Sequence, residues 1–232
     1  MKVLYRFLLI MSLVFALGAC NNDSDILPQM KPEATGSTTD VRDGYIYHWV
    51  RFGGLDWTVE NSHFQTTEGT YAIYETTGLV GDEENANNER TFAKYGYLYT
   101  YEGALEAAPD GWRIPTDEDW KKLETVLGMS VDECAALEWR SSNVVGTLMH
   151  QGDEGTGLDM LYGGYYTATT SSFTSAYRLM YSYGFYWTST KDTDKGDGFA
   201  YYRKIFYKNG GVFRYSCSTA NMMSVRFVRD AN

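Results

Sequence analysis

Positive charge is scarce in this 232-residue chain: 20 Lys and Arg stand against 30 Asp and Glu, a formal net charge of −10. So acidic a surface excludes nucleic acid and anionic lipid headgroups as electrostatic partners. Histidine is scarcer. His48, His63 and His150 are scattered and form no HExxH pair, so the spacing offers no zinc site. No Gly-x-Ser-x-Gly elbow is present. The glycine-rich run Gly152 to Gly157 lacks the Lys-Ser/Thr that would cradle phosphate. The apolar stretch Phe7 to Phe15 is too short to cross a bilayer, and no internal repeat is visible. Cysteine occurs three times, at positions 20, 134 and 217.

The first cysteine has a context of its own. Lys2 and Arg6 precede the short apolar core, and Leu17-Gly18-Ala19 leads into Cys20. This resembles a bacterial lipobox, with residues 1–19 as signal peptide and Cys20 as the acylated first residue of the mature chain. Several acyl chains on Cys20 would hold the protein on the outer membrane. Residues 20–40, rich in Asn, Asp, Ser, Thr, Pro and Gly, read as a flexible tether. Asn21 to Asp25 resembles the acid-rich segment after the lipidated cysteine of surface-exported lipoproteins, which implies exposure on the cell surface. Loss of Lys2 and Arg6 with the leader leaves 18 basic residues against 30 acidic ones, or −12. Cys134 and Cys217 then form either one disulfide or two separate thiols, and sequence leaves both open.

Hydrophobic residues at 44% and charged ones at 22% are ordinary for a globular domain. A domain near 200 residues buries roughly 70% of its unfolded surface, so residues 41–232 can form one domain without disulfide staples. Aromatic content is the outlier, with 20 Tyr and 6 Trp. Tyrosine pairs a flat apolar face with a hydroxyl that stays wet, which suits sheet exteriors and binding surfaces.

Turn signals divide the chain. Tyr45–Phe52 and Leu55–Thr58, separated by Gly53-Gly54, read as a hairpin. Gly81–Arg90 reads as a charged, Asn-rich loop. A short strand over Gly96–Thr100 precedes a helix over Tyr101–Ala108. The stretch from Gly111 to Trp120 reads as a strand turning sharply into a helix: Pro115 holds Ile114 extended, and Thr116 with Asp119 makes a capping box. Both its tryptophans, Trp112 and Trp120, are expected in the core. Ser130 with Glu133 starts another helix, through Leu137, and residues 142–150 suit a further short one. Asn209-Gly210 joins Phe199–Tyr207 to Val212–Tyr215 in the clearest hairpin, and Ser224–Arg229 reads as a closing strand. Helices early and strands late indicate an α+β fold.

Ordered blocks carry a family resemblance. Asp43-Gly44-Tyr45-Ile46-Tyr47, Leu55-Asp56-Trp57-Thr58, Tyr95 to Thr100, Pro109 to Thr116, Gly163-Gly164-Tyr165, Gly184 to Thr190 and Ser224 to Val228 together resemble the Fibrobacter succinogenes major paralogous domain. The resemblance implies a compact C-type-lectin-like domain, related to formylglycine-generating enzymes, with a small antiparallel sheet and long irregular loops. It implies no particular activity. Where some members carry cysteines, this chain has Ala108 and Phe227, so no bridge is available there.

Two site readings follow. Arg214 to Cys217 resembles the second half of the copper-binding C-x4-C motif of the formylglycine-generating enzymes, but the first cysteine position is Val212. One thiolate does not make the two-sulfur site that Cu(I) prefers. Asp192, Asp194 and Asp197 place three carboxylates in one loop, but without the EF-hand pattern and beside Lys191 and Lys195, so a solvated loop is expected. The expectation is a non-catalytic module without cofactor that binds glycan or protein, with Tyr186, Trp187, Asp192, Asp194 and Tyr201 as contact residues. A structural part in a surface assembly is the alternative.

Overall fold

Gly53 and Gly54 hold φ of +58° and +75°, the two left-handed positions that a two-residue hairpin turn requires. The turn fixes the register of the strands on either side, Val50 facing Trp57 and Phe52 facing Leu55. The computed structural model describes residues 29–75, 82–140, 144–169 and 176–231. The leader, Cys20 and the start of the tether lie outside the described residues.

The elements in chain order are β1 (Thr35–Thr39), β2 (Ile46–Phe52), β3 (Leu55–Thr58), β4 (Tyr71–Ala72), α1 (Asp82–Tyr95), β5 (Leu98–Tyr99), α2 (Tyr101–Ala107), α3 (Asp117–Val126), α4 (Val131–Ala135), β6 (Glu138–Arg140), α5 (Val145–His150), β7 (Tyr165–Tyr166), β8 (Tyr177–Arg178), β9 (Tyr183–Lys191), β10 (Phe199–Phe206), β11 (Asn209–Ser218) and β12 (Val228–Asp230). A first antiparallel sheet has the order β1-β2-β3-β12 and a second the order β6-β11-β10-β9; β4-β5 and β7-β8 are small pairs. Short helices gather in the first half and long strands in the second, an α+β arrangement.

The helical half of the corner at residues 111–120 forms as its sequence dictates, while of the expected strand only Arg113 makes a bridge, to Val228. Thr116 Oγ1 accepts from the Asp119 amide at 3.1 Å, and Asp119 Oδ2 accepts from the Thr116 amide at 2.7 Å. Trp120 and Leu123 then face inward, Trp120 meeting Trp57 edge-on at 5.1 Å between ring centres. Trp112 is buried too, in a second cluster with Tyr47, Tyr99, Trp187 and Phe227. Ala108 packs against that cluster. Gly146 lets α5 lie directly on β11, since a Cβ there would stand 2.5 Å from the Gly211 carbonyl oxygen.

Five expectations need correction. The turn between β10 and β11 is Tyr207-Lys208, not Asn209-Gly210: Asn209 already pairs with Phe206, and Gly210-Gly211 forms a bulge before Val212 meets Ile205. Thr35–Thr39 is strand β1, paired with β2, so these residues of the expected tether belong to the folded domain. Gly81–Arg90 is largely helix. α1 is polar for most of its length, but its last turn is held by tertiary contacts: Tyr95 is buried, its carbonyl accepts from Asn61 Nδ2 at 2.8 Å, and the Phe92 carbonyl lies 3.1 Å from His63 Nε2. The helix begun at Ser130 stops at Ala135 rather than Leu137, and Glu138 takes φ of +66° to enter β6. Only Val228–Asp230 of the closing segment joins a sheet ladder. Residues 224–227 instead stitch the two sheets together: the Ser224 amide donates to Phe185 and its carbonyl accepts from Trp187, while the Phe227 carbonyl accepts from Thr58.

Candidate functional site

Strand alternation gives the second sheet two faces of opposite chemistry. One face carries Arg203 and Arg214 with Tyr186, Ile205 and Val212, and α3 covers it. Two of the four acids of α3, Asp117 and Glu124, lie about two turns apart on one face, and both point into the sheet. Arg203 donates to Asp117 and to Glu124, each at 2.7 Å. Arg140 forks onto Glu124 at 2.7 and 2.5 Å, and Arg214 onto Asp117 at 2.9 and 2.7 Å. All five side chains are buried. Burial alone would raise the Asp117 carboxyl, but the Arg214 hydrogen bonds and the charge of Arg203 outweigh it and hold it far below its ordinary value. This face is closed and rigid, and sets the positions of the strands.

The other face is aromatic. The register puts Phe185, Lys204, Phe213 and Trp139 in one row across β9, β10, β11 and β6. Trp187, Tyr202 and Tyr215 form the row on one side, and Tyr183 with Phe206 the row on the other. Tyr183 and Phe206 stack at 4.4 Å and 11° between planes. Trp139 meets Phe213 edge-on at 5.4 Å and is 38% exposed. Trp187, Phe185 and Tyr202 are buried, whereas Tyr183, Phe206, Phe213 and Tyr215 are half-buried, so the outer part of the face reaches solvent. Lys204 stands amid it. Its Nζ lies 3.7 Å from the centre of the Phe213 ring and 5.2 Å from Trp139, with Tyr183 and Phe185 just beyond. Burial among these rings pushes its ammonium pKa down.

The five contact residues expected from sequence do not form a patch. Tyr186 and Trp187 are neighbours on β9 and so face opposite ways, both wholly buried. Tyr186 packs against Trp120, and the Trp187 indole donates to the Tyr99 carbonyl at 2.8 Å. Asp192 is buried, accepts from Ser216 Oγ and forms an ion pair with Lys195, whose Nζ is 3.7 Å away. Tyr201 lies half-buried under the Arg214 guanidinium, 4.5 Å from its ring centre. Asp194 alone is exposed. Tyr186, Trp187 and Asp192 are structural, and the residues that reach solvent are their sheet neighbours Trp139, Lys204, Phe206, Phe213 and Tyr215. Part of the signal for these was in the chain: alternation along β10 and β11 aligns Lys204 with Phe213 and Tyr202 with Tyr215, but the turn at Tyr207-Lys208 and the bulge before Val212 that set this register were not legible.

Cys134 and Cys217 are free thiols. Cys134 lies under α3 beside Thr125 Oγ1 at 3.4 Å, and Cys217 lies far off on β11. Burial raises both, Cys217 to about 12, so neither is a thiolate at neutral pH. Both are therefore expected to alkylate only after unfolding and without reductant; a two-dalton mass loss or a need for reductant would show a bridge instead. Val212 and Cys217, five apart on one strand, face opposite sides of the sheet. Among the described residues, no group of three or more His, Cys, Asp or Glu is placed to hold a metal ion. A separate cleft of about 580 Å³ opens between β1, β2 and residues 153–159, with the His48–Glu60 pair (2.6 Å) and Trp49 on its walls.

The fold is thus an α+β domain of two four-stranded antiparallel sheets stitched by one extended segment, with a charged closed face and an aromatic open one. The model of the Fibrobacter succinogenes major domain matches residues 50–229, most of the chain, and the protein belongs to that family. No curated protein and no solved structure matches it.

Proposed function

We propose that this protein is a non-catalytic, lipid-anchored module of the outer membrane that binds glycan through the open aromatic face of its second sheet. Acylation at Cys20 anchors it and the segment up to β1 lifts the domain from the membrane, on the cell-surface side. The C-type-lectin-like relation belongs to this reading. The observation that carries it is the row Phe185–Lys204–Phe213–Trp139 with its flanking rings, a platform whose half-exposed members are aromatic rather than aliphatic. Rings already locked by stacking lose little side-chain entropy on binding and offer flat apolar faces to the C–H faces of sugar rings.

The test is a glycan array probed with residues 21–232 and with a Trp139→Ala variant. Trp139 is partly exposed and its loss costs about 1 kcal/mol of stability, while a central aromatic contact typically contributes ~2 kcal/mol or more to binding. At least a tenfold loss of signal at nearly unchanged melting temperature is expected. A blank array beside specific capture of a purified surface protein would replace glycan with protein as the ligand.

A further inference from the structure

Lys204 is a cation without a counter-ion. Among the described residues its Nζ has no carboxylate and no hydrogen-bond acceptor, only ring faces. The register excludes a nearby acid on the same face. Its neighbours across the strands are Phe185 and Phe213, those on the diagonals are Tyr183, Trp187, Gly211 and Tyr215, and those along its own strand are Tyr202 and Phe206. The other cations of β10 and β11 are committed elsewhere: Arg203 and Arg214 are neutralised by Asp117 and Glu124 on the closed face. Lys195, at the end of the open face, is tied to Asp192 and Ser216. A half-buried ammonium among rings gains from cation–π contact but has lost part of its hydration. The missing interaction is a hydrogen-bonding anion.

We infer that the open face selects a saccharide bearing a carboxylate on its ring, a uronic or sialic acid unit stacked on the aromatic rows with its carboxylate on Lys204 Nζ. This rests on the glycan reading above and names the class of sugar. One carboxylate is the better fit than a polyanionic chain. The mature chain carries −12, which repels a polyanion at long range, whereas a single charge meets one desolvated cation at short range. Hydrogen bonds to a charged group are among the stronger ones, so the charge should be visible in affinity.

The experiment uses the full chain in detergent and short neutral oligosaccharides carrying a single galacturonate residue, each beside its methyl-esterified counterpart, which keeps the ring and removes the charge. The wild type is expected to bind the acid about tenfold or more tightly than the ester. Lys204→Met should bind both forms alike, near the wild-type affinity for the ester, and Lys204→Arg should keep the preference. Equal binding of acid and ester by wild type, or a preference that survives Lys204→Met, overturns the inference. If a neutral glycan binds and depends on Trp139 while acid gives no advantage, the glycan reading stands and the inference alone fails. If no saccharide binds but an Asp/Glu-rich peptide does, and Lys204→Met abolishes it, both fail together. Melting temperatures of the variants distinguish lost affinity from lost fold.

Discussion

Asp117→Ala is expected to lower the unfolding free energy by about 3–5 kcal/mol, the cost of leaving buried charges unpaired. Asp117 neutralises Arg203 and Arg214 at once, and Lys121 reaches it from the next turn at 3.1 Å. Without it two guanidinium groups remain beneath α3 with Glu124 as the only carboxylate between Arg140 and Arg203. At roughly 2–4 °C per kcal/mol for a chain of this size, thermal unfolding should shift down by on the order of 10 °C. The pH dependence has a definite sign. The folded state holds the Asp117 carboxyl well below its ordinary 3.8, so its contribution is complete above that value and fades as pH falls toward the folded one. The gap between wild type and variant should therefore be widest near neutrality and narrow below about pH 4. A gap that is constant down to pH 2 would mean that Asp117 acts through packing rather than charge.

Arg226→Met should be comparably damaging for a different reason. Arg226 is wholly buried and, among the described residues, has no carboxylate partner. Its guanidinium donates to Asn61 Oδ1 at 2.6 Å, to the carbonyls of Thr58 (2.9 Å), Leu158 (3.0 Å) and Asp159 (2.7 Å), and to that of Val59. It thereby joins the end of the first sheet to the 158–159 loop from the segment that stitches the sheets. Methionine fills the volume and removes the charge but strands these acceptors, each costing roughly 1–3 kcal/mol when dry. Relief of the buried charge offsets part of this, and a net loss on the order of 3 kcal/mol is expected. Arg226→Lys should rescue little, because an ammonium cannot reproduce the planar fork. Equilibrium denaturation of both variants checks this. If lysine restores wild-type stability, charge matters and geometry does not.

Sequence carried the local fold well and the site poorly, and the reasons differ by residue. Thr116 with Asp119 and Ser130 with Glu133 are capping boxes whose partners are three residues apart, so they form wherever the chain is placed. Gly53-Gly54 likewise fixes its hairpin locally, whereas the second hairpin turns at Tyr207-Lys208, just before the expected Asn209-Gly210. α1 escaped because its anchors, Asn61 and His63, are thirty residues away: His63 Nε2 lies 3.1 Å from the Phe92 carbonyl. Arg203 and Arg214 read as solvent-facing charges in Tyr-rich strands, and only the packing of α3 shows them to be core. The same blindness bore on the expected contact residues. Tyr186 and Trp187 stood out by size, but burial is decided by what covers a strand, and α2, α3 and the 99–101 segment cover both. Lys204, inconspicuous in the chain, becomes conspicuous once four strands bring rings to every side of it.

The most direct test of the aromatic face as ligand surface is chemical-shift mapping of isotopically labelled residues 21–232 titrated with the tightest oligosaccharide found. The six tryptophan indoles give separate reporters. Perturbations should fall on the Trp139 indole and on backbone amides of residues 183–185, 202–206 and 213–215, leaving the indoles of the buried Trp57 and Trp120 in place. Shifts centred instead on Trp49 and on His48 in the β1–β2 cleft, with Trp139 unmoved, would contradict the assignment.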